Sequence, residues 1–362
     1  MIRHIVEQRR KRKESALLPT KLSILGGVRM AGVDVGSADG LQPHWRSYDG
    51  VVDFYLFEPH QESYQQLKEL FSNSAYSEKY HVFPVGLSGM EGERILYMLN
   101  CPTGSSLYPI NPASEFASPN NTYIHPIREV KIQTRQLSDV LDEAQVNSVD
   151  IIKLDVQGAE LEILQGMGDR RKNLLLAEVE VNISSGVTDN IGPYLDGPTW
   201  GQIDEMLTED GMRLLDVSIA RAYRSKNGDS DWYQREVFGV YENTPSLSAR
   251  VWEADVVYVR DWRQLVANKD ADSIRKLIVA LCGYRFFSEA YFIVEQSEES
   301  GLFDATTADQ IKSDVIAWHQ TGRQFWHGRG VVWRLLRRVI RATGMSQLLR
   351  WKQYMWFEYP NG

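Results

Sequence analysis

The stretch that most constrains the fold is AGVDVGSADG, residues 31–40. A short apolar run with an acid near its end leads into a glycine-bounded loop, and a helix-compatible segment follows. Strand, glycine turn and helix in this order are typical of a nucleotide-type cofactor site at the carboxyl edge of a parallel sheet. A glycine there lets backbone approach a ligand where a Cβ would collide. The pattern predicts cofactor contacts, with a ligand-free glycine turn as the alternative, at Asp34, Gly36, Ser37, Asp39 and Gly40.

The spacing of this loop differs from the dinucleotide fingerprint. GxGxxG would need a glycine at Ala38, and that glycine admits a pyrophosphate. S-adenosylmethionine has no pyrophosphate, so a looser loop suffices for it. The missing glycine therefore disfavours nicotinamide-dependent oxidoreduction and favours an adenosine-type cofactor without a diphosphate.

A second anchor follows the next apolar run. Residues 51–57, VVDFYLF, read as a buried strand that ends at Glu58. An acid about 20 residues beyond the glycine loop, at the tip of the next strand, is placed to accept hydrogen bonds from both ribose hydroxyls. The alternative is a solvated carboxylate at a strand end.

A third strand is predicted at residues 80–85, YHVFPV. In a sheet of this kind the loop that follows the third strand lies against the adenine. The residues of that loop are therefore predicted to form the cofactor wall, with a plain turn as the alternative: Gly86, Leu87 and Ser88.

Charged residues also lie within two predicted buried strands, at 149–155 and 174–180. A buried Lys153 is costly unless it is paired. Asp155 shares its face at the period of two, and Glu178 and Glu180 share one face of the next strand. Two interpretations remain open: an ion pair that holds strand ends, or carboxylates that edge the cleft where an acceptor sits.

Four segments in this order resemble the FkbM-type methyltransferases: VDVGSADG, FEPHQESYQQL, VKIQTRQLSDVL and VDIIKLDVQGAELEILQGM. The resemblance covers about residues 30–260, and the last segment is the most specific. Gln157 stands where the family usually has glutamate. The resemblance implies an α/β, Rossmann-like, seven-stranded mainly parallel sheet with helices on both faces, and S-adenosylmethionine as cofactor. It also implies transfer to a hydroxyl of a sugar, glycolipid or polyketide-like acceptor.

For such a transfer the protein must align the acceptor oxygen with an already activated methyl group. A base helps a hydroxyl to react. Asp155 is the first candidate and Glu178 the second, whereas His60 is disfavoured because it follows the ribose-binding Glu58. No ligand cluster with good spacing predicts a metal. The rival from another class is a non-catalytic module that keeps the cofactor fold and docks on a membrane or partner.

Composition restricts the setting. The chain of 362 residues has only Cys101 and Cys282, which gives no disulfide framework and fits a reducing cytoplasm. No run of 18 apolar residues occurs, and the basic N-terminus lacks an apolar segment after it, so neither a transmembrane helix nor a secretory signal is expected. An acidic body between two basic ends does not resemble a nucleic-acid groove.

The chain is predicted to divide into a basic arm (1–29), a methyltransferase domain (30–260) and a helical C-terminal region (261–362). Within the last, 331–341 (VVWRLLRRVIR) has an apolar stripe opposite an arginine stripe, and residues 321–357 hold eight Lys or Arg and no acid. Such a helix is typical of a peripheral anchor at an inner membrane surface or of a partner-binding helix. The alternative packs the apolar stripe on the body. The pattern assigns no oligomeric state.

Overall fold

The computed structural model describes residues 18–37, 40–42, 44–112, 114, 125–183, 192–222, 236–237 and 250–321. The statements below concern these ranges. Asp39, the basic arm up to residue 17 and the basic helix at 331–341 lie outside them, so the predictions made for those segments remain predictions.

The strands form two sheets, a large one and a small one. In chain order they are β1 (Met30–Val35), β2 (Val52–Phe57), β3 (Tyr80–Phe83), β4 (Gly86–Leu87), β5 (Gly92–Leu99), β6 (Pro126–Arg135), β7 (Ile151–Leu154), β8 (Leu176–Asn182), β9 (Met212–Ala222) and β10 (Arg250–Arg260).

The large sheet has seven strands in the order β3-β2-β1-β7-β8-β10-β9. Pairing is parallel from β3 to β8, and β10 runs antiparallel to both β8 and β9. This confirms the predicted seven-stranded, mainly parallel sheet. Because β1, β2, β7 and β8 are parallel, their carboxyl ends meet at one edge, which is where such sheets bind ligands.

The small sheet, in the order β4-β6-β5, was not predicted as a separate unit. The predicted third strand at 80–85 ends at Phe83, and Gly86–Leu87 pairs instead with Thr134 and Arg135 of β6. Gly86 fits there because an added Cβ would lie 2.8 Å from Ile132 Cδ1. The small sheet therefore stands directly beyond β3, beside the carboxyl edge of the large sheet.

Helices cover both faces of the large sheet. They are α1 (18–25), α2 (Gln61–Ser72), α3 (Leu137–Glu143), α4 (Glu160–Gln165), α5 (Trp200–Glu209), α6 (Trp262–Ala267), α7 (Ala271–Gly283), α8 (Phe287–Glu299) and α9 (305–321). Helix starts carry local caps: Thr199 and Gln202 form a capping box at α5, and the Asp270 side chain accepts from Ser273 N at α7.

Successive side chains of each strand point to opposite faces of the sheet, so the core forms two layers. On one face, Met30, Phe54 and Ile151 belong to a core with apolar residues of α1, α2, α7, α8 and α9. On the other face, Val33 and Ile152 pack with α3, α4 and α5. The described part of the helical C-terminal region thus shares a core with the sheet, and the predicted boundary at residue 260 remains a prediction.

Close packing fixes the segment after the glycine loop against this C-terminal region. Tyr48 is fully buried, and its hydroxyl donates to Ala280 O at 2.6 Å. A Cβ on Gly283 would lie 2.1 Å from the Tyr48 ring. Residues 44–48 are therefore held over the sheet by α7. Within the described ranges, no helix combines the length and apolarity needed to span a bilayer.

Candidate active site

The glycine loop is built around one close backbone approach. Gly36 has φ +87°, and an added Cβ would lie 1.9 Å from the carbonyl oxygen of Asp155. Asp155 N donates to Val35 O at 3.2 Å, so the ends of β1 and β7 are held together just before the chains diverge. Only glycine allows this approach, and it brings Asp155 beside the loop.

A cleft opens at this edge, between the large sheet and the small one. Its apolar wall includes Phe57, Leu96 and Ile132, and its polar groups include Glu58 and Asp155. We call it the carboxyl-edge cleft. Its full lining is Val35, Gly36, Phe57, Glu58, Pro59, His60, Ser63, Val85, Gly86, Leu87, Leu96, Met98, Thr103, Ser105, Leu107, Ile132, Asp155, Val156 and Ala159.

Glu58 lies at the tip of β2, on the cleft wall. Its Oε1 accepts from His60 N at 2.7 Å, which fixes the carboxylate, and the residue is 6% exposed. Burial raises the pKa of Glu58, and the His60 N–H opposes that shift. Oε2 has no hydrogen bond within the described residues, so one oxygen of a positioned carboxylate remains for a ligand.

The other predicted cofactor residues divide into two groups. Gly86 and Leu87 line the cleft. Ser37 and Ser88 do not: the Ser37 hydroxyl donates to Asp34 O at 2.9 Å, and the Ser88 hydroxyl donates to Met90 O at 2.7 Å. Gly40 turns the loop with φ +85° and is also away from the lining.

Beneath the loop, charged side chains cross the sheet in a row. Asp34 on β1 pairs in register with Lys153 on β7, which pairs with Glu178 on β8. All three are at most 4% exposed. Burial raises the pKa of Asp34 to about 6, against the opposing charge of Lys153. Asp34 Oδ1 has no hydrogen-bond partner among the described residues, and a buried acceptor without a donor is uncommon.

Lys153 holds Asp155 in its charged form. Lys153 Nζ lies 3.0 Å from Asp155 Oδ2, and Gln157 Nε2 donates to Asp155 Oδ1 at 3.1 Å. Burial opposes ionisation, but Lys153 and the hydrogen bonds outweigh it and lower the pKa of Asp155. Neighbouring Glu180 has a raised pKa because of burial and the charge of Asp155. The ion-pair interpretation of Asp155 and its cleft position therefore both hold.

Gln157 connects these acids, and its amide is suited to that role. It sits at φ +59°. Its Nε2 donates to Glu180 as well as to Asp155, and its Oε1 accepts from the Tyr194 hydroxyl at 2.8 Å. A glutamate here could not donate to two carboxyl groups. Glu160 orders the same loop by accepting from Gly158 N at 2.9 Å.

Glu178 lies beside Lys153 but does not line the cleft. One of its oxygens accepts from His44 Nε2 at 2.9 Å, from Trp45 Nε1 at 3.1 Å and from the Tyr284 hydroxyl. Burial alone would raise the pKa of Glu178, but His44, Lys153 and Tyr284 together lower it. The sequence analysis did not identify His44, Trp45 or Tyr284. They lie more than 100 residues from Glu178 in sequence, and no local pattern joins them to it.

Among the described residues, no group of three or more His, Cys, Asp or Glu side chains is arranged to hold a metal ion.

The sheet order, the glycine loop and the acid at the tip of β2 define the class: this is a Rossmann-like methyltransferase fold. A family model described as the methyltransferase FkbM domain matches residues 34–214, half of the chain. The chain therefore belongs to the FkbM methyltransferase family.

Individual relatives are distant. "Methyltransferase 1" of Beauveria bassiana (strain ARSEF 2860) is 32% identical over 82 residues, 20% of this chain and 32% of that protein. The chain thus matches about a third of this curated relative's length. Methyltransferase FkbM from Methylobacillus flagellatus KT has 14% identity and a TM-score of 0.31, over 65% of this chain and 45% of that one. The N-terminal domain of EvdMO1 with SAH bound has 7% identity and a TM-score of 0.31, over 68% and 80%. Neither structural likeness adds to the family assignment.

Proposed function

We propose that this protein transfers a methyl group from S-adenosylmethionine to a hydroxyl oxygen of a sugar, glycolipid or polyketide-like acceptor. The observation that carries the proposal is the carboxyl-edge cleft, which brings Gly36, Glu58 and Asp155 together at the carboxyl edge of the sheet. Methyl transfer itself follows from the family. Oxygen as the receiving atom and the acceptor class are the parts proposed here.

The residues present suit this cofactor. The Glu58 carboxylate is an acceptor for ribose hydroxyls, and Leu87, Leu96 and Ile132 supply apolar wall for an adenine. Asp34 Oδ1 is a buried acceptor that has no donor among the described residues. The cofactor's ammonium group is a hydrogen-bond donor of opposite charge. Glu58, Leu87 and Asp34 would therefore hold its ribose, base and amino group.

When bound, the cofactor supplies a sulfonium methyl that needs no further activation. The chain's own residues have the remaining tasks of binding, orientation and proton acceptance. Holding the acceptor oxygen in line supplies much of the rate, because a bimolecular step becomes effectively unimolecular. Asp155, fixed by Lys153 and Gln157, contributes negative charge next to the glycine loop.

The proposal is tested by transfer of a tritiated methyl group from S-adenosylmethionine to a panel of methyl glycosides of hexoses and 6-deoxyhexoses. We expect label in at least one glycoside, at oxygen. Protein that binds S-adenosylhomocysteine but labels no glycoside would contradict the sugar acceptor, and a cell extract in place of the panel would then separate another acceptor from a non-catalytic module. Tighter binding of NADH than of S-adenosylhomocysteine would contradict the cofactor.

Glu58→Ala should weaken S-adenosylhomocysteine binding by about 1–3 kcal/mol, the range for a hydrogen bond to a charged group left unmade. The fold should be intact, since the Glu58 side chain bonds only to His60 N and its backbone bond to Phe83 O is kept in the variant. Isothermal titration calorimetry measures the change. Glu62→Ala is the matched control, because Glu62 is an exposed carboxylate in the first turn of α2. Equal affinities of the two folded variants would remove the ribose assignment.

A further inference from the structure

His44 is held in one orientation at the acidic side of the site. Its Nε2 lies 2.9 Å from Glu178 Oε2, and its side chain is 20% exposed. Its ring packs edge-on against Tyr284, with centroids 4.9 Å apart. Trp45, the next residue, is fully buried and bonds to the same carboxylate, which anchors the backbone on that side of His44. The result is a half-buried imidazole that has one hydrogen-bonded nitrogen and a fixed ring plane.

The anchoring bond sets the tautomer of His44. Glu178 accepts from Trp45 and Tyr284 as well, so it is an ionised carboxylate that can only accept. His44 must therefore donate from Nε2, and a neutral ring then carries its lone pair on Nδ1. Nδ1 makes no hydrogen bond to any of the described residues. A lone pair directed by a carboxylate on the opposite nitrogen is the arrangement of a general base.

His44 is connected to the cofactor loop through its anchor Glu178 and the two neighbouring strands. Its anchor Glu178 pairs in register with Lys153, which pairs with Asp34 and bonds to Asp155 in the cleft. Neighbouring strands lie about 4.8 Å apart, so Glu178 is one strand beyond Lys153 and two beyond the end of β1. His44 is not among the residues that line the carboxyl-edge cleft, so its role as a base requires an acceptor that extends over β7 from the cleft.

The carboxylates nearby are weaker candidates for the base. Asp155 and Glu178 both have lowered pKa values and their oxygens already accept from neighbouring donors. Glu180 has a raised pKa, caused by burial and by the charge of Asp155, and one of its oxygens already accepts from Gln157. The imidazole of His44, by contrast, has a ring nitrogen without a hydrogen-bond donor among the described residues, and histidine is the side chain that acts most often as a general base.

We infer that His44 is the general base of methyl transfer and that Glu178 is its positioning residue. The inference rests on the proposed transfer to a hydroxyl. The acceptor oxygen forms a bond to the methyl carbon, and the electron pair of the carbon–sulfur bond stays on sulfur, leaving a neutral thioether. The hydroxyl proton moves to His44 Nδ1 and then to water, while Glu178 stabilises the imidazolium formed.

His44→Gln tests the role with the anchor retained, because the glutamine amide can still donate to Glu178. We expect kcat to fall by roughly two to four orders of magnitude, the range for loss of a general base, with S-adenosylhomocysteine affinity and melting temperature unchanged. His81→Gln is the control: His81 is exposed on β3 and stacks on Tyr55 outside the cleft. Wild-type kcat in His44→Gln would overturn the inference.

The pH profile separates His44 from the other groups that face it. These are Glu178 on β8, Tyr284 at the end of α7 and Asp255 on β10. Wild-type kcat should fall on the acid side as His44 is protonated, and this limb should vanish in His44→Gln. Burial raises the pKa of Asp255 to about 6, so Asp255→Asn is the matched variant and should keep the limb. Loss of the limb in Asp255→Asn alone would overturn the assignment.

A measurement without any acceptor keeps the two proposals distinguishable. Long-range ¹H–¹⁵N spectra of histidine-labelled protein report which nitrogen carries the proton, and His44→Gln identifies the signal. We expect a proton on Nε2 and none on Nδ1 at pH 8. A proton on Nδ1 would overturn the inference. Wild-type protein that labels no glycoside would overturn the acceptor class, and the tautomer would still decide the role of His44.

Discussion

Gly36→Ala is expected to lower the free energy of unfolding by about 2–5 kcal/mol and to abolish measurable binding of S-adenosylhomocysteine. The new Cβ would lie 1.9 Å from Asp155 O and 2.9 Å from Asp155 C, both backbone atoms that cannot swing aside. Overpacking costs about 1–3 kcal/mol, and a left-handed backbone at a residue other than glycine adds about 1–2 kcal/mol. Relief of the clash separates the ends of β1 and β7 and displaces Asp155 from the cleft. Urea unfolding and calorimetry measure the two effects.

Gly27→Ala is the control that introduces the backbone strain without the clash. Gly27 has φ +90°, close to the value at Gly36, and no atom lies within 4 Å of a Cβ added there. Its variant should lose about 1–2 kcal/mol and keep full cofactor affinity. If both variants lost the same stability and Gly36→Ala still bound S-adenosylhomocysteine, the close approach would not be what shapes the site.

Glu178→Ala should destabilise the protein by about 3–5 kcal/mol at neutral pH, the range for breaking a buried charged pair by removing one partner. The substitution leaves the Tyr284 hydroxyl without its acceptor and the Trp45 indole with only the Tyr284 oxygen, and it removes one of the charges next to Lys153. Chemical denaturation followed by tryptophan fluorescence measures the change.

The pH dependence of this loss follows from the lowered pKa of Glu178. A carboxyl whose folded pKa is depressed contributes stability that is fully present above the unfolded value, 4.5, and is lost as pH falls through the folded pKa. The loss of stability caused by Glu178→Ala should therefore be fully present at pH 5 and above, and it should narrow only below that pH. Tyr284→Phe removes one donor and keeps the carboxylate, so it should cost about 1.5–3 kcal/mol. A gap under 1 kcal/mol for Glu178→Ala would mean that its contacts are not stabilising.

Much of the site could be predicted from local sequence patterns. Residues 31–36 predicted a strand that ends in a glycine turn, and Glu58 was placed at the tip of the next strand, because alternation and turn chemistry depend on near neighbours. The two apolar strands at 149–155 and 174–180 were readable in the same way. Parallel strands present their carboxyl ends at one edge of the sheet. The sequence alone therefore predicts that Gly36, Glu58 and Asp155 lie close together.

The partners of the charged residues could not be read in this way. Lys153 could pair with Asp155 or with Glu178 on sequence grounds, and only the register of three adjacent strands shows it bonded to the first and beside the second. From the sequence, Gln157 only lacks the charge of the glutamate that is usual in the family. In the folded protein its amide donates to two acids, Asp155 and Glu180.

The sequence by itself determined the strands that carry the site, the glycine loop and the acid at the tip of β2, because each depends on residues a few positions apart. The seven-stranded sheet was implied by the family resemblance. The tertiary structure decided the surroundings of Glu178. His44, Trp45 and Tyr284 reach it from the segment after the glycine loop and from the end of α7, 134, 133 and 106 residues away in sequence. Hydrogen bonds between such distant residues depend on how α7 packs over the sheet, and no periodicity or spacing in a single chain encodes that packing.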